Sequence, residues 1–216
     1  VVRYYTLGDF SDPNAPGKEW RTAQNWPPFE TRDETLFLHK DRSLSAESPV
    51  AGDDALEYDF DPKNPCPTHG GQNLILPAGP FDQSELGKRP DVLRFATAPL
   101  EAPMEVTGRV RLRLFVSSDA PDTDFTAKLV DIYPDGKEIL LLDNIQRVKF
   151  RNGFERPQPL PPGELGELTV DLWSISMIFN AGHRIGVHVS SSNFPRFEIN
   201  PNTGADFPPE APEEMR

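Results

Sequence analysis

The sequence predicts an all-β protein, a jelly-roll β-sandwich with long proline-rich loops. Three observations carry that expectation. Apolar and polar residues alternate in several segments, which is the period of a half-buried strand. No stretch sustains a long 3.6-residue apolar pattern, and the best helical candidate is the short piece Trp173–Phe179. The 24 prolines and 15 glycines gather between the patterned segments, as in a loop-rich globular chain. Strands that cross between two sheets through long loops suit a jelly roll. No internal repeat recurs at a fixed period, which disfavours a propeller or solenoid.

In chain order, the first candidate strands are Val2–Leu7, Thr35–His39, Leu56–Phe60 and Asp91–Thr97. The next is the clearest: Val110, Leu112, Leu114 and Val116 share one face, and Arg109, Arg111 and Arg113 share the other. Phe125, Ala127 and Leu129 also share a face, although Val130 and Ile132 add apolar weight to the opposite one. The turn Pro134-Asp135-Gly136 leads to Glu138–Phe150. Leu168, Val170 and Leu172 oppose Thr169 and Asp171; after the Ala181-Gly182 turn, Ile185, Val187 and Val189 oppose Gly186 and His188. The total is about nine strands. Segments 9–34 and 61–90 read as long loops, and they carry Trp20, Trp26, Leu74, Ile75, Leu76 and Phe81. Loops bearing this much apolar surface cover something.

With 34 acidic and 22 basic residues, the net charge is −12 and the pI about 4.8, which repels nucleic-acid phosphates and anionic lipid surfaces. Nucleic-acid and membrane partners are therefore not expected. The lone Cys66 excludes an internal disulfide and a multi-cysteine zinc cluster. Its free thiol fits a cytoplasmic origin, although a cysteine-poor secreted protein would look the same. No apolar run has membrane-spanning length.

The residues supply little catalytic chemistry. No G-x-S-x-G nucleophile elbow is present. Ser190, Ser191 and Ser192 lie near His183 and His188 in sequence, but the register makes the serines turn hydrogen-bonders and His188 a half-exposed sheet residue. The four histidines form no H-E-x-x-H, and neither a metal nor another cofactor is expected. Asp119, Asp122 and Asp124 lack the glycine and terminal glutamate of an EF-hand; they suit either a loop calcium site or a polar turn that accepts backbone N–H groups before Phe125 starts a buried face. Arg109, Arg111 and Arg113 are expected to pair with carboxylates on neighbouring strands or on another domain.

Three longer runs, PDTDFTAKLVDIYPDG (121–136), DLWSISMIFNAGHRI (171–185) and SSSNFPRFEINPNTG (190–204), resemble the C-terminal domain of the CocE/NonD hydrolases. That group includes cocaine esterase, α-amino acid ester hydrolases and X-Pro dipeptidyl-peptidases. Supporting pieces follow in order, among them Val2-Arg3-Tyr4-Tyr5, Trp26-Pro27, Gly70-Gly71 and Asp91-Val92-Leu93, so the resemblance runs from residue 1 to about 204. It implies a galactose-binding-like jelly roll spanning 1–216 as one domain, joined to an upstream α/β-hydrolase domain and helical cap that hold the catalytic serine, aspartate and histidine. This chain would then contain no catalytic residue and would be inactive alone. The loop after the paired glycines, Gln72–Pro80, would reach the acyl pocket, with Leu74 and Ile75 as substrate-pocket or interface candidates and Leu76 and Trp26 beside them. The family continues past Ala211–Arg216 with a last strand, so an open sheet edge, lower stability or self-association is expected. Cys66 is given no function. The alternatives are a carbohydrate-binding module using Trp20 and Trp26, and an independent hydrolase using Ser190–Ser192.

Overall fold

The computed structural model describes residues 1–50 and 55–205. Within them the strands are, in chain order, β1 (Val2–Thr6), β2 (Glu19–Ala23), β3 (Phe37–Leu38), β4 (Leu44–Ser45), β5 (Leu93–Ala96), β6 (Met104–Val116), β7 (Asp124–Ile132), β8 (Glu138–Arg147), β9 (Gly166–Phe179) and β10 (Arg184–Ser190). The all-β expectation holds, and no helix among the described residues is long and apolar enough to cross a membrane.

Alternation becomes geometry in the long antiparallel pair β6–β9, where Leu112 faces Val170 and Leu114 faces Leu168. Their inward side chains meet those of a four-stranded sheet ordered β5-β10-β7-β8. Phe95, Phe125, Ala127, Leu129, Leu142, Leu168, Val170, Leu172, Val187 and Val189 form the shared core of this sandwich. The hairpin β1–β2 extends the β6–β9 layer, because Leu7 N–H donates to Ser176 O (2.8 Å) and Leu7 O accepts from Ile178 N–H (3.0 Å). Arg109 pairs with Asp171 (Nε to Oδ1, 3.0 Å), and Arg113 lies 3.9 Å from Glu167, both across to β9 as expected.

Several segments depart from the sequence reading. Trp173–Phe179 is strand, not helix. A bulge places Leu172 and Trp173 together opposite Val110, so that Arg111 faces Asp171 while Arg109 faces Ser174. The inserted residue shifts the alternation by one, and the core positions resume at Ile175, Met177 and Phe179. Leu56–Phe60 forms no strand, although Leu56 and Tyr58 still pack on the core. Thr35–His39 shrinks to Phe37–Leu38, and Glu138–Phe150 ends at Arg147 in a 3-10 turn, Val148–Phe150. Strand β2 lies inside the segment read as one long loop. The terminal stretch Ala211–Arg216 lies outside the described residues.

His188 requires the largest correction. The outer face of the four-stranded sheet carries a row in register across it: Arg94 on β5 faces His188 on β10, His188 faces Lys128 on β7, and Lys128 faces Asp143 on β8. His188, Lys128 and Asp143 are all buried. Segment 61–90 roofs this face: Gln83 N–H bonds Glu138 O (2.7 Å), Leu140 N–H bonds Phe81 O (3.1 Å), and the Gln83 amide oxygen accepts from Lys128 Nζ at 2.8 Å. An ion pair joins Glu138 to Arg94, and His188 Nε2 lies 2.7 Å from Glu138 Oε2. Burial, helped by the Lys128 and Arg94 cations, pushes the His188 pKa down to about 3, so the ring is neutral beside the carboxylate.

Candidate functional site

Gly70 and Gly71 set up the loop that follows them. Both have φ in the left-handed region, +72° and +81°. A Cβ on Gly71 would stand 2.8 Å from Asp143 Oδ1, so a side chain there would collide with the buried row. Gly71 and Gly79 exchange two backbone hydrogen bonds, of 2.8 and 3.1 Å, and close the loop at its base. Inside it, Asn73 donates its amide to Gly70 O (2.9 Å) and accepts Leu76 N–H (2.7 Å). The loop is thus hydrogen-bonded internally, yet it aims apolar side chains outward: Leu74 is fully exposed and Ile75 is 68% exposed. Leu76 is half-buried.

Beside the loop lies an open groove of about 300 Å³, lined by Tyr4, Tyr5, Leu7, Trp26, Gln72, Leu141, Leu142, Ser174, Ile175 and Ser176. It occupies the side of the sandwich where β8 of one sheet approaches β1 and β9 of the other. Trp26 packs edge-on against Tyr4, with centroids 5.3 Å apart. The structure therefore brings Trp26 and the start of the Gln72–Pro80 loop to one opening, although they lie far apart in the chain. The contributions of Tyr4, Leu141 and Ser174 were not legible in the sequence, because each belongs to a strand whose pairing had to be known first. Trp20 stands elsewhere on the hairpin, with one face taken by the Arg3 guanidinium 4.7 Å from its ring.

The serines and histidines do not form a catalytic constellation. Ser190 Oγ bonds Thr126 Oγ1 (2.6 Å), Ser191 Oγ bonds the Tyr58 hydroxyl (2.7 Å), and Ser192 Oγ accepts Cys66 N–H (2.8 Å). Ser191 and Ser192 fasten loops as expected, whereas Ser190 is the last residue of β10 and its side chain bonds across to β7. His183 bridges two acids instead: its Nδ1 lies 2.9 Å from Asp131 Oδ1, and its Nε2 lies 3.5 Å from Asp9 Oδ2. Burial raises the Asp131 pKa to about 6 against the opposing pull of His183. This clamp ties the β1–β2 connection to β7.

The aspartate cluster also divides. Asp119 is exposed, whereas Asp122 and Asp124 are buried. Asp122 accepts a backbone N–H, from Lys149 (3.1 Å), as the polar-turn reading expects. Asp124 instead accepts side-chain donors, Arg147 Nε at 2.8 Å and Asn200 Nδ2 at 2.9 Å. With Lys149 Nζ 3.8 Å from Asp122, cationic and amide groups of the chain itself sit against these carboxylates. Phe125 does begin the buried face.

Comparison with known proteins gives this arrangement its context. The sequence pattern of the X-Pro dipeptidyl-peptidase C-terminal non-catalytic domain matches residues 1–210. Cocaine esterase of Rhodococcus sp. (strain MB1 Bresler) is 41% identical over 207 residues, covering 91% of this chain and 36% of that enzyme. An aminopeptidase from the marine sediment archaeon Thaumarchaeota archaeon superposes with a TM-score of 0.83 at 32% identity. An α-amino acid ester hydrolase does so with a TM-score of 0.80 at 28% identity. Both structural matches cover 92% of this chain and 36% of the solved one. The chain spans little more than a third of the length of these relatives, and it belongs to the X-Pro dipeptidyl-peptidase C-terminal non-catalytic domain family.

Proposed function

We propose that this chain is the accessory jelly roll of a larger serine hydrolase of the CocE/NonD type, acting on ester, amide or X-Pro peptide bonds. It packs on an α/β-hydrolase domain of the same polypeptide and helps to shape the acyl pocket. The observation that carries the reading is the Gly71–Gly79 loop, closed by backbone bonds at its base and presenting exposed Leu74 and Ile75 beside an open groove. A monomeric surface gains nothing from holding two large aliphatic side chains in water, whereas a domain contact does. The nucleophile, general base and oxyanion hole belong to the other domain in this reading, since the hydroxyls of Ser190–Ser192 are committed to structural bonds. A cytoplasmic setting is part of the reading, supported by the single unpaired Cys66.

The test is intact-mass analysis of the purified chain after exposure to a fluorophosphonate, with parallel assays on simple esters and an X-Pro anilide. The chain alone takes up no label and turns over neither substrate. Mixed with the portion of the Rhodococcus esterase that lies outside the match, it raises that portion's ester turnover, and Leu74→Asp with Ile75→Asp abolishes the gain. A stoichiometric adduct on the chain alone would contradict the proposal.

A further inference from the structure

We infer that Trp173 is a second anchor through which this chain docks on the catalytic hydrolase domain; the inference rests on the reading just given. Three features of the residue point to it. Its backbone has φ +72°, a conformation unfavourable for a bulky L-residue in a strand. Its side chain is 65% exposed, and its ring has no aromatic or cation–π neighbour among the described residues. Its bulge is pinned from several sides: Trp173 N–H donates to Asp171 Oδ1 (3.1 Å), Arg109 Nε donates to the same oxygen (3.0 Å), and Asn144 Nδ2 donates to Asp171 O (2.7 Å). The fold holds a tryptophan in a strained backbone conformation while leaving most of its surface in water.

Bulges commonly re-aim a side chain toward a binding partner, and tryptophan is among the residues that contribute most at interfaces. The location fits. Trp173 adjoins Ser174, which lines the groove together with Gln72, and Gln72 is two residues from Leu74. The bulge and the start of the loop therefore border the same groove. The occupant is the catalytic domain, because relatives that contain this fold extend well beyond it, the match covering 36% of each.

Two substitutions test this. Trp173→Gly accepts φ +72° without strain, and Trp173→Asn tolerates it better than tryptophan while keeping a side chain. The inference expects both variants of the 216-residue chain to melt at or above the temperature of the unaltered chain. It also expects both to bind the non-matching portion of the Rhodococcus esterase at least tenfold more weakly by calorimetric titration. A lower melting temperature for both variants would mean that the ring serves the fold, and would overturn the inference. Unchanged affinity, with Leu74→Asp/Ile75→Asp still weakening binding, would overturn it while leaving the accessory-domain reading intact. No binding by the unaltered chain would overturn both.

Discussion

Two sides of this sandwich invert the usual polarity of a protein. On the outer face of the four-stranded sheet, Arg94, His188, Lys128 and Asp143 form a row beneath segment 61–90, and all except half-buried Arg94 are buried. By contrast Leu74 and Ile75, in the loop that begins at the groove residue Gln72, and Trp173, next to the groove residue Ser174, stand in water. The charged row has its partners of opposite charge or its amide partners within the chain, in Glu138, Gln83, Asn193 and Arg196. The apolar groups remain largely exposed among the described residues. Charge that folding has already paired is architecture; large apolar surface held out by defined hydrogen bonds is where the proposed docking is to be tested.

Predictions that break or sharpen this contrast run from large effects to small ones. Asp143 is buried, accepts the Asn193 amide at 2.9 Å and pairs with Arg196. Asp143→Ala leaves the partly buried Arg196 guanidinium without its carboxylate and is expected to cost about 3 kcal/mol in urea unfolding at pH 7. A cost below about 1 kcal/mol would show that the roofed face is not held by its ion pairs.

His188 gives the pH dependence. Its folded pKa of about 3 lies below the unfolded value near 6.5. The stability it contributes is therefore complete above the unfolded value and is lost as pH falls toward the folded one. Stability should drop by about 2 kcal/mol from this residue alone between pH 7 and pH 5. His188→Gln removes that component of the slope, and the comparison of the two denaturation curves at both pH values checks it.

On the apolar side, substitutions should hardly affect the isolated chain. Leu74→Asp is expected to change stability by less than about 0.5 kcal/mol, because the side chain is fully exposed. The smallest effect belongs to Arg113→Ala: its partner Glu167 is 3.9 Å away and both side chains are more than half exposed, so a change within about 0.5 kcal/mol is expected in the same unfolding assay.

Period-two patterning found β6, β7, β9 and β10 and identified their core faces, because those residues pack against one another whichever loops surround them. It could not say whether the other face was roofed, and so it left His188 half-exposed. The signal was present in Val130, an apolar residue on the supposedly wet side of β7 that proves fully buried. Trp173–Phe179 was misread for a related reason. The bulge puts core residues Leu172, Ile175 and Phe179 at spacings of three and four, which imitates a helix although the backbone never leaves the sheet. The loop candidates Leu74 and Ile75 came from family resemblance, and both are exposed. Trp26 was legible as a motif, but its meeting with Gln72 across one groove depends on tertiary closure that no local pattern encodes.

The most direct test of the central claim is amide hydrogen exchange on this chain, with and without the portion of the Rhodococcus esterase outside the match. Protection gained at Gly71–Gly79, Tyr4–Leu7 and Trp173–Ser176, with the already protected β10 and β7 unchanged, is the predicted result. Protection gained elsewhere, with these three segments unaffected, would contradict the account.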